Sequence, residues 1–450
     1  MMSYLPLCIL AFSIVLLLFM VLKLKIHAFL ALLMVSIFLG LATGMSMESI
    51  LDSMTAGMSS TLGFVATVVG IGAIFGQVLE ASGGAEALAR FLIAKFGRDR
   101  APYSLALAGF MVAIPVFLDV GFIILAPVLY ALAKDTKKSL LYYAIPLLAG
   151  LAVTHAFIPP TPGPVAVAEI IQVDLGWLIF FGFVIGIPVT LVAGPLYGKY
   201  IGNRMHVDVP DLFRDSTDME VKELPPFWLI VGIIVIPLVL IVANTVSGMW
   251  AKENGMEDAF WVHLLAFLGH PFIALLIATL IAIYVIGIRR GFTPASLLDL
   301  STKALSPAGL IILVTGAGGV FKQLLVDSGI GVALAESLSG SALPPIVLAW
   351  LLALIIRVTQ GSATVAMITS AGIMAPLLSA YTLSEPHKAL VVIAIASGAT
   401  TLSHVNDSGF WLIGKYLGMT EQQTLRSWTV METIISVMGF ALSLGLSFFF

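Results

Sequence analysis

Long apolar runs with short polar punctuation dominate the chain. Runs long enough to cross about 30 Å of hydrocarbon fall at about 4–22, 26–43, 61–80, 139–171, 175–203, 226–246, 260–287, 305–325, 388–416 and 428–450, which predicts ten spans. Two further apolar regions, about 101–133 and 343–380, are interrupted near their middles by Asp119-Val120-Gly121 and by Arg357-Val358-Thr359-Gln360-Gly361-Ser362. Each reads as one re-entrant hairpin or as two short crossings. Ahead of the first, residues 85–96 place Leu88, Phe91, Leu92 and Phe96 on one helical face, with Glu86 and Arg90 four apart. That pattern suits a short helix lying in the membrane interface.

Charge orients these elements. Lys and Arg collect in short cytoplasmic loops. With Lys23 and Lys25 placing the first loop inside, all 22 basic residues fall inside except Lys252, Lys322, Lys388 and Arg357. Basic flanks return 101–133 to the cytoplasmic side, and cation-poor flanks place 343–380 outside, which favours the hairpin form. Both termini are then predicted outside. A polar linker at 204–225, too short to fold as a domain, separates 1–203 from 226–450. The halves repeat: Gly70 to Gln77 matches Gly316 to Gln323 at an offset of 246, and Thr154-His155 matches Ser403-His404 at 249. Each half holds five spans and one hairpin. Five is odd, so the second half should run through the membrane inverted, with broken helices near the midplane as in secondary carriers.

Four polar breaks interrupt apolar sequence. They are Phe117 to Gly121, His155 to Pro164, Thr359 to Thr364, and Ser403-His404-Val405-Asn406-Asp407-Ser408-Gly409. Non-helical backbone at membrane depth survives only where it is buried in protein or lines a wet cavity. Pro159, Pro160, Pro162 and Pro164 exclude a continuous helix through the second break. A proline or glycine break alone is more often a structural kink than a site. Breaks of this kind also leave free N–H groups at half-helix starts, which suit an anion without a fixed cation. Asp119 and Asp407 read as functional, because a carboxylate at membrane depth costs several kcal/mol unless it is partnered or used. His155 and His404 either brace the breaks or contact ligand and proton. Arg357 can snorkel, pair with Asp119 or Asp407, or hold a substrate carboxylate; a helical arm would leave it a turn and more from the Ser362 tip. Glu432, one turn from Trp428, reads as interfacial.

Composition narrows the class. Hydrophobic residues make up 60% of the chain and charged residues 10%, with a mean hydropathy of +1.08, so this is a polytopic membrane protein and not a soluble enzyme. A net charge of -3 with dispersed cations offers no nucleic-acid footprint. The one cysteine, Cys8, permits neither an internal disulfide nor a thiolate metal site. No phosphate-binding Gly-x-x-x-x-Gly-Lys-Ser/Thr loop is present, so ATP is not the direct energy source. No metal or cofactor is expected.

Several of these stretches carry a family resemblance. Gly361-Ser-Ala-Thr-Val-Ala366, Ser403 to Asp407 with Gly409-Phe-Trp411, Pro159-Pro160 with Pro162-Gly163-Pro164, and Val326-Asp-Ser-Gly329 resemble the signatures of the gluconate:proton symporter family, across essentially the whole chain. The resemblance implies the inverted-repeat ion-transporter architecture: a scaffold, a moving transport domain with two hairpins, and a homo-oligomer. Asp119 stands where family members carry glutamate and Thr161 where some carry histidine, departures that bear on substrate or coupling. The expectation is an inner-membrane carrier importing gluconate or a related hydroxylated carboxylate with protons by elevator-like alternating access. Another small organic acid or D-serine is the alternative cargo; a channel or a membrane-embedded enzyme is the rival class. The substrate-binding residues expected are Thr161, Gly163, Gly361, Ser362, Thr364, His404, Asn406 and Ser408. Asp119, Asp407 and His155 are expected to couple the proton.

Overall fold

The computed structural model describes residues 5–210, 224–330, 344–378, 381, 383–405 and 407–450, and every regular element among them is helical. α1 (Leu5–Leu22), α2 (Ala28–Ala42) and α3 (Met47–Ala81) open the chain, and α4 (Gly84–Phe96) leads to the pair α5 (Ala101–Val112) and α6 (Leu118–Thr136). α7 (Leu141–Phe157) and α8 (Pro162–Ile171) are halves of one broken helix; α9 (Leu175–Leu191) passes through a π-type turn into α10 (Tyr197–Arg204). The second half supplies α11 (Phe227–Asn254), α12 (Phe260–Leu268), α13 (Pro271–Ala282) and α14 (Pro294–Asp327). It continues with α15 (Pro345–Gln360), α16 (Ala363–Leu378), α17 (Glu385–Thr400), α18 (Ser408–Tyr416) and α19 (Glu421–Leu446). Long helix, short pair, broken helix, long helix: the order of α3 to α10 recurs in α14 to α19. Among the described residues, seven helical stretches are long and apolar enough to cross a membrane.

Helix starts follow from local chemistry. Ser46 accepts from the Ser49 N–H before α3, and Thr293 from the Ser296 N–H before α14, so the two long helices begin with the same device. Thr420 and Gln423 form a reciprocal capping box at α19. α5, at 12 residues, is about 18 Å long and cannot cross the hydrocarbon, as the arm of a re-entrant hairpin should not. The turn of that hairpin lies at Ala113–Phe117, not at Asp119–Gly121 as the sequence suggested. Pro115 lacks the N–H a continuing helix needs, whereas Asp119 sits in the first turn of α6, where a carboxylate suits the positive helix end.

Packing places the broken helices at the centre. α7 and α17 are buried along nearly their whole length, while Trp228, Phe260, Phe267 and Tyr284 on outer helices are exposed, an arrangement suited to lipid. α3 and α14 cross in contact at two glycines: a side-chain carbon at Gly57 would lie 2.6 Å from the Gly319 carbonyl oxygen, and one at Gly319 equally close to that of Gly57. α4 keeps its Glu86–Arg90 pair at 2.7 Å, and its apolar face is covered by protein. Leu88 and Leu92 are buried, Phe91 stacks on Phe227 at 4.1 Å, and only Phe96 stays well exposed. The start of the linker is pinned, with the Leu140 N–H donating to the Val207 carbonyl at 2.8 Å; residues 211–223 lie outside the described residues.

Candidate functional site

The second hairpin turns at Gly361, whose φ of +84° is a left-handed conformation glycine adopts without strain. The chain thereby reverses from α15 into α16, and the half-buried Ser362 and Thr364 lie at the start of the returning helix. Ser362 Oγ accepts from the Val365 N–H at 3.4 Å. Arg357, one turn earlier, is 3% exposed and folds forward onto the turn. Its Nη1 donates to the Gly361 carbonyl, and its Nη2 lies 2.6 Å from Asp407 Oδ2. The arginine therefore belongs to the tip itself, because its long side chain recovers the rise that separates the two along the helix.

Asp407 is the centre of the fourth break. Its Oδ1 accepts from the Gly409 N–H at 3.0 Å and caps α18, while the Ser403 hydroxyl donates to Oδ2 beside Arg357. Ser403 is held in turn by Trp428 Nε1 at 2.7 Å, and its carbonyl by the Thr429 hydroxyl. These bonds fasten the break to α19. Thr401 reaches the Ser436 hydroxyl, which also accepts from Trp350 Nε1 at 3.0 Å. Between the two clusters lies Glu432. It is 4% exposed, makes no hydrogen bond to any described residue, and lies within charge-interaction range of Arg357 and Asp407. The interfacial placement expected from Trp428 is therefore wrong: the turn that carries Glu432 faces inward against other helices, and protein covers it. His404 is half-buried and lends its carbonyl to the Asp407 N–H at 2.8 Å, and Ser408 opens α18 as an exposed residue. Asn406 lies outside the described residues.

The first-half breaks meet in a similar way. Pro115, Val116 and Phe117 of the first hairpin share a cleft with Pro160, Thr161 and Pro162, closed on one side by Gly72 and Ala73 of α3. Thr161 is buried, occupies the capping position of α8 and spends its hydroxyl on the Ile158 carbonyl at 2.6 Å. The His155 ring lies 6.0 Å from that of Phe117 and within charge-interaction range of Asp119. Asp119 is exposed and also interacts with Glu80, which lines a cavity of about 670 Å³ with Glu86, Arg289 and Arg290. The two pairs are joined where α8 packs on α16: a side-chain carbon at Gly163 would lie 2.5 Å from Met367 Cε, one turn past Thr364. Thr161, Gly163, Gly361, Ser362, Thr364 and Asp407 thus belong to one connected set of contacts, with Asp119 at its far edge.

Buried polar atoms without partners gather on the helices that meet there. Thr154 Oγ1, His155 Nδ1, Gln360 Oε1, Thr369 Oγ1 and Ser370 Oγ make no hydrogen bond among the described residues. Buried groups of this kind ordinarily find a partner, and those of Gln360, Thr369 and Ser370 lie on α15 and α16, which pack against each other. The described residues contain no His, Cys, Asp and Glu group suited to a metal.

Broken helices and hairpin tips meeting inside an apolar helical bundle define a multi-pass membrane transporter. Residues 5–449 match the GntP family permease, and the chain belongs to that family. It is 42% identical to the low-affinity gluconate transporter of Escherichia coli strain K12, over 95% of both chains. It is 36% identical to the gluconate permease of Bacillus subtilis strain 168, over 98% of this chain and 99% of that one. The L-idonate transporter of the Gnt-II system of Escherichia coli strain K12 is 38% identical over 96% of this chain and 97% of its own. Among solved structures, the YdaH transporter of Alcanivorax borkumensis superposes with a TM-score of 0.64 over 99% of each chain at 14% identity, a likeness of fold alone.

Proposed function

We propose that this protein is a secondary carrier of the bacterial inner membrane that imports gluconate with protons. The observation that supports the reading is the pairing of the helix breaks two and two, joined where α8 packs on α16, in a chain whose relatives over nearly full length are named as gluconate carriers. The anion is held by the half-helix starts at Gly163, Ser362 and Thr364, with Thr161, Gly361, His404, Asn406 and Ser408 reading its hydroxyls. Asp119 and His155 lie on the proton's route to the large cavity, and Asp407 takes part in coupling through Arg357. Residues 1–203 and 226–450 act as inverted repeats joined by a cytoplasmic linker, with both termini outside. The hairpins and broken helices move as a unit against the α3–α14 scaffold, and the carrier works as a homo-oligomer. Relatives named for transport, and not for a reaction, support a carrier over an enzyme. The L-idonate relative supports a second reading, in which a different sugar acid is the preferred cargo.

Counterflow in proteoliposomes tests both. Vesicles loaded with unlabelled gluconate are expected to concentrate labelled gluconate transiently, which neither a channel nor an enzyme does. Absence of overshoot with gluconate, together with overshoot for idonate, would move the assignment to the second reading.

A further inference from the structure

Glu432 is unused by the site described so far, and its surroundings are unusual. A carboxylate in the interior of a membrane protein is costly unless it is paired or functional. Glu432 is 4% exposed, and no hydrogen bond reaches it from any described residue. The ionisable groups within its range are Arg357 from α15 and Asp407 at the start of α18. Residues 389–400 of α17, residues 175–191 of α9 and the turn at 192–196, all in elements packed against α19, carry no ionisable side chain. On α7 the ionisable side chains are Tyr142, Tyr143 and His155; on α18 they are Lys415 and Tyr416. Arg357 and Asp407 already balance each other at 2.6 Å, so a charge on Glu432 has no dedicated counter-ion. Arg357 also holds a donor in reserve: its Nε–H is buried and unpartnered.

We propose that Glu432 is the carboxylate that binds the co-transported proton, and that its charge state decides how firmly Arg357 holds Asp407 and the Gly361 turn. The inference rests on the proposed proton-coupled import. From the outer side a proton adds to a Glu432 carboxylate oxygen; the cluster of neutral Glu432, Arg357 cation and Asp407 anion is then uncharged. When the proton leaves to the cytoplasm, the cluster carries one negative charge, and Glu432 competes with Asp407 for the guanidinium. Arg357 bonds the Gly361 carbonyl, so that competition is transmitted directly to the hairpin tip beside Ser362. Proton and substrate are thereby linked through one side chain, and each biases the other's binding by the same factor.

The test uses the full-length protein purified in detergent and in proteoliposomes, with gluconate as the probe and a pH-sensitive dye in weakly buffered solution. Wild type is expected to take up protons when gluconate is added. Glu432→Gln mimics the protonated acid, so it is expected to bind labelled gluconate within about threefold of wild type and to take up no proton. Its pH-gradient-driven accumulation is expected to fall at least tenfold, while wild type loses binding as pH rises and the variant does not. Wild-type proton uptake by Glu432→Gln overturns the proposal. So does loss of binding in a variant that melts within a few degrees of wild type. Should Glu432→Gln fail to fold, Glu432→Asp is expected to shift the pH midpoint of coupled uptake, and an unchanged midpoint overturns the proposal. A wild type that neither binds gluconate nor takes up protons would instead defeat the import reading, whatever the variants do.

Discussion

Arg357 is the residue on which most of the site converges, and its loss should cost more than a lost contact. Breaking a buried ion pair strands the remaining charge and typically costs about 3–5 kcal/mol, whereas replacing both partners with apolar groups costs much less. Arg357→Gln is therefore expected to lower the thermal midpoint sharply. The double change Arg357→Met with Asp407→Leu should recover most of the loss, short of about 1 kcal/mol for the forfeited α18 cap. Melting curves of the three proteins in one detergent check this; a double variant no more stable than the single one would show that the pair is not what holds the two breaks together. Sequence singled out Asp407 because a carboxylate at membrane depth is costly unless partnered or used, and the structure gives it Arg357 as partner. It left Arg357 to snorkel, to pair with Asp119 or Asp407, or to hold a substrate carboxylate, and its pairing with Asp407 is set by how the second hairpin's tip meets the start of α18. Glu432 escaped for a related reason: α19 turns polar residues such as Ser427, Thr429 and Ser436 inward together with Glu432, so spacing from Trp428 alone could not say which turn meets protein and which meets lipid.

The helices themselves were far more legible than their joints. Runs of apolar residues long enough to span a bilayer are set by composition, and the described helices fall on them. The first hairpin's turn was misplaced because Asp119 is a louder polar signal than Pro115, yet backbone hydrogen bonding ends the helix at the proline. Crossing points were also invisible, since the partner of a small residue lies hundreds of positions away. Gly57 and Gly319 supply a test at this scale. A branched side chain at either would press on the facing backbone carbonyl, and overpacking of this kind costs about 1–3 kcal/mol. Gly319→Val is expected to destabilise the protein by that amount and to slow gluconate counterflow, whereas Gly309→Val, where nothing lies within 4 Å, should be close to neutral. Paired melting and counterflow measurements separate the two, and equal effects would mean that the α3–α14 crossing is not tightly built.

For the whole molecule, the two longest helices set a relation to the bilayer. α3 and α14 contain 35 and 34 residues, about 50 Å of helix against about 30 Å of hydrocarbon. Helices so long either tilt steeply or carry their ends beyond the acyl chains, and these two are locked together at glycines. Their mismatch with the membrane is then shared by the pair and passed to every helix they support. Lipid thickness becomes a control variable: thin bilayers favour greater tilt and thick ones a more upright pair. Gluconate counterflow is accordingly expected to pass through a maximum as acyl chains are lengthened, and a flat response would show that the long pair does not feel the membrane's elasticity.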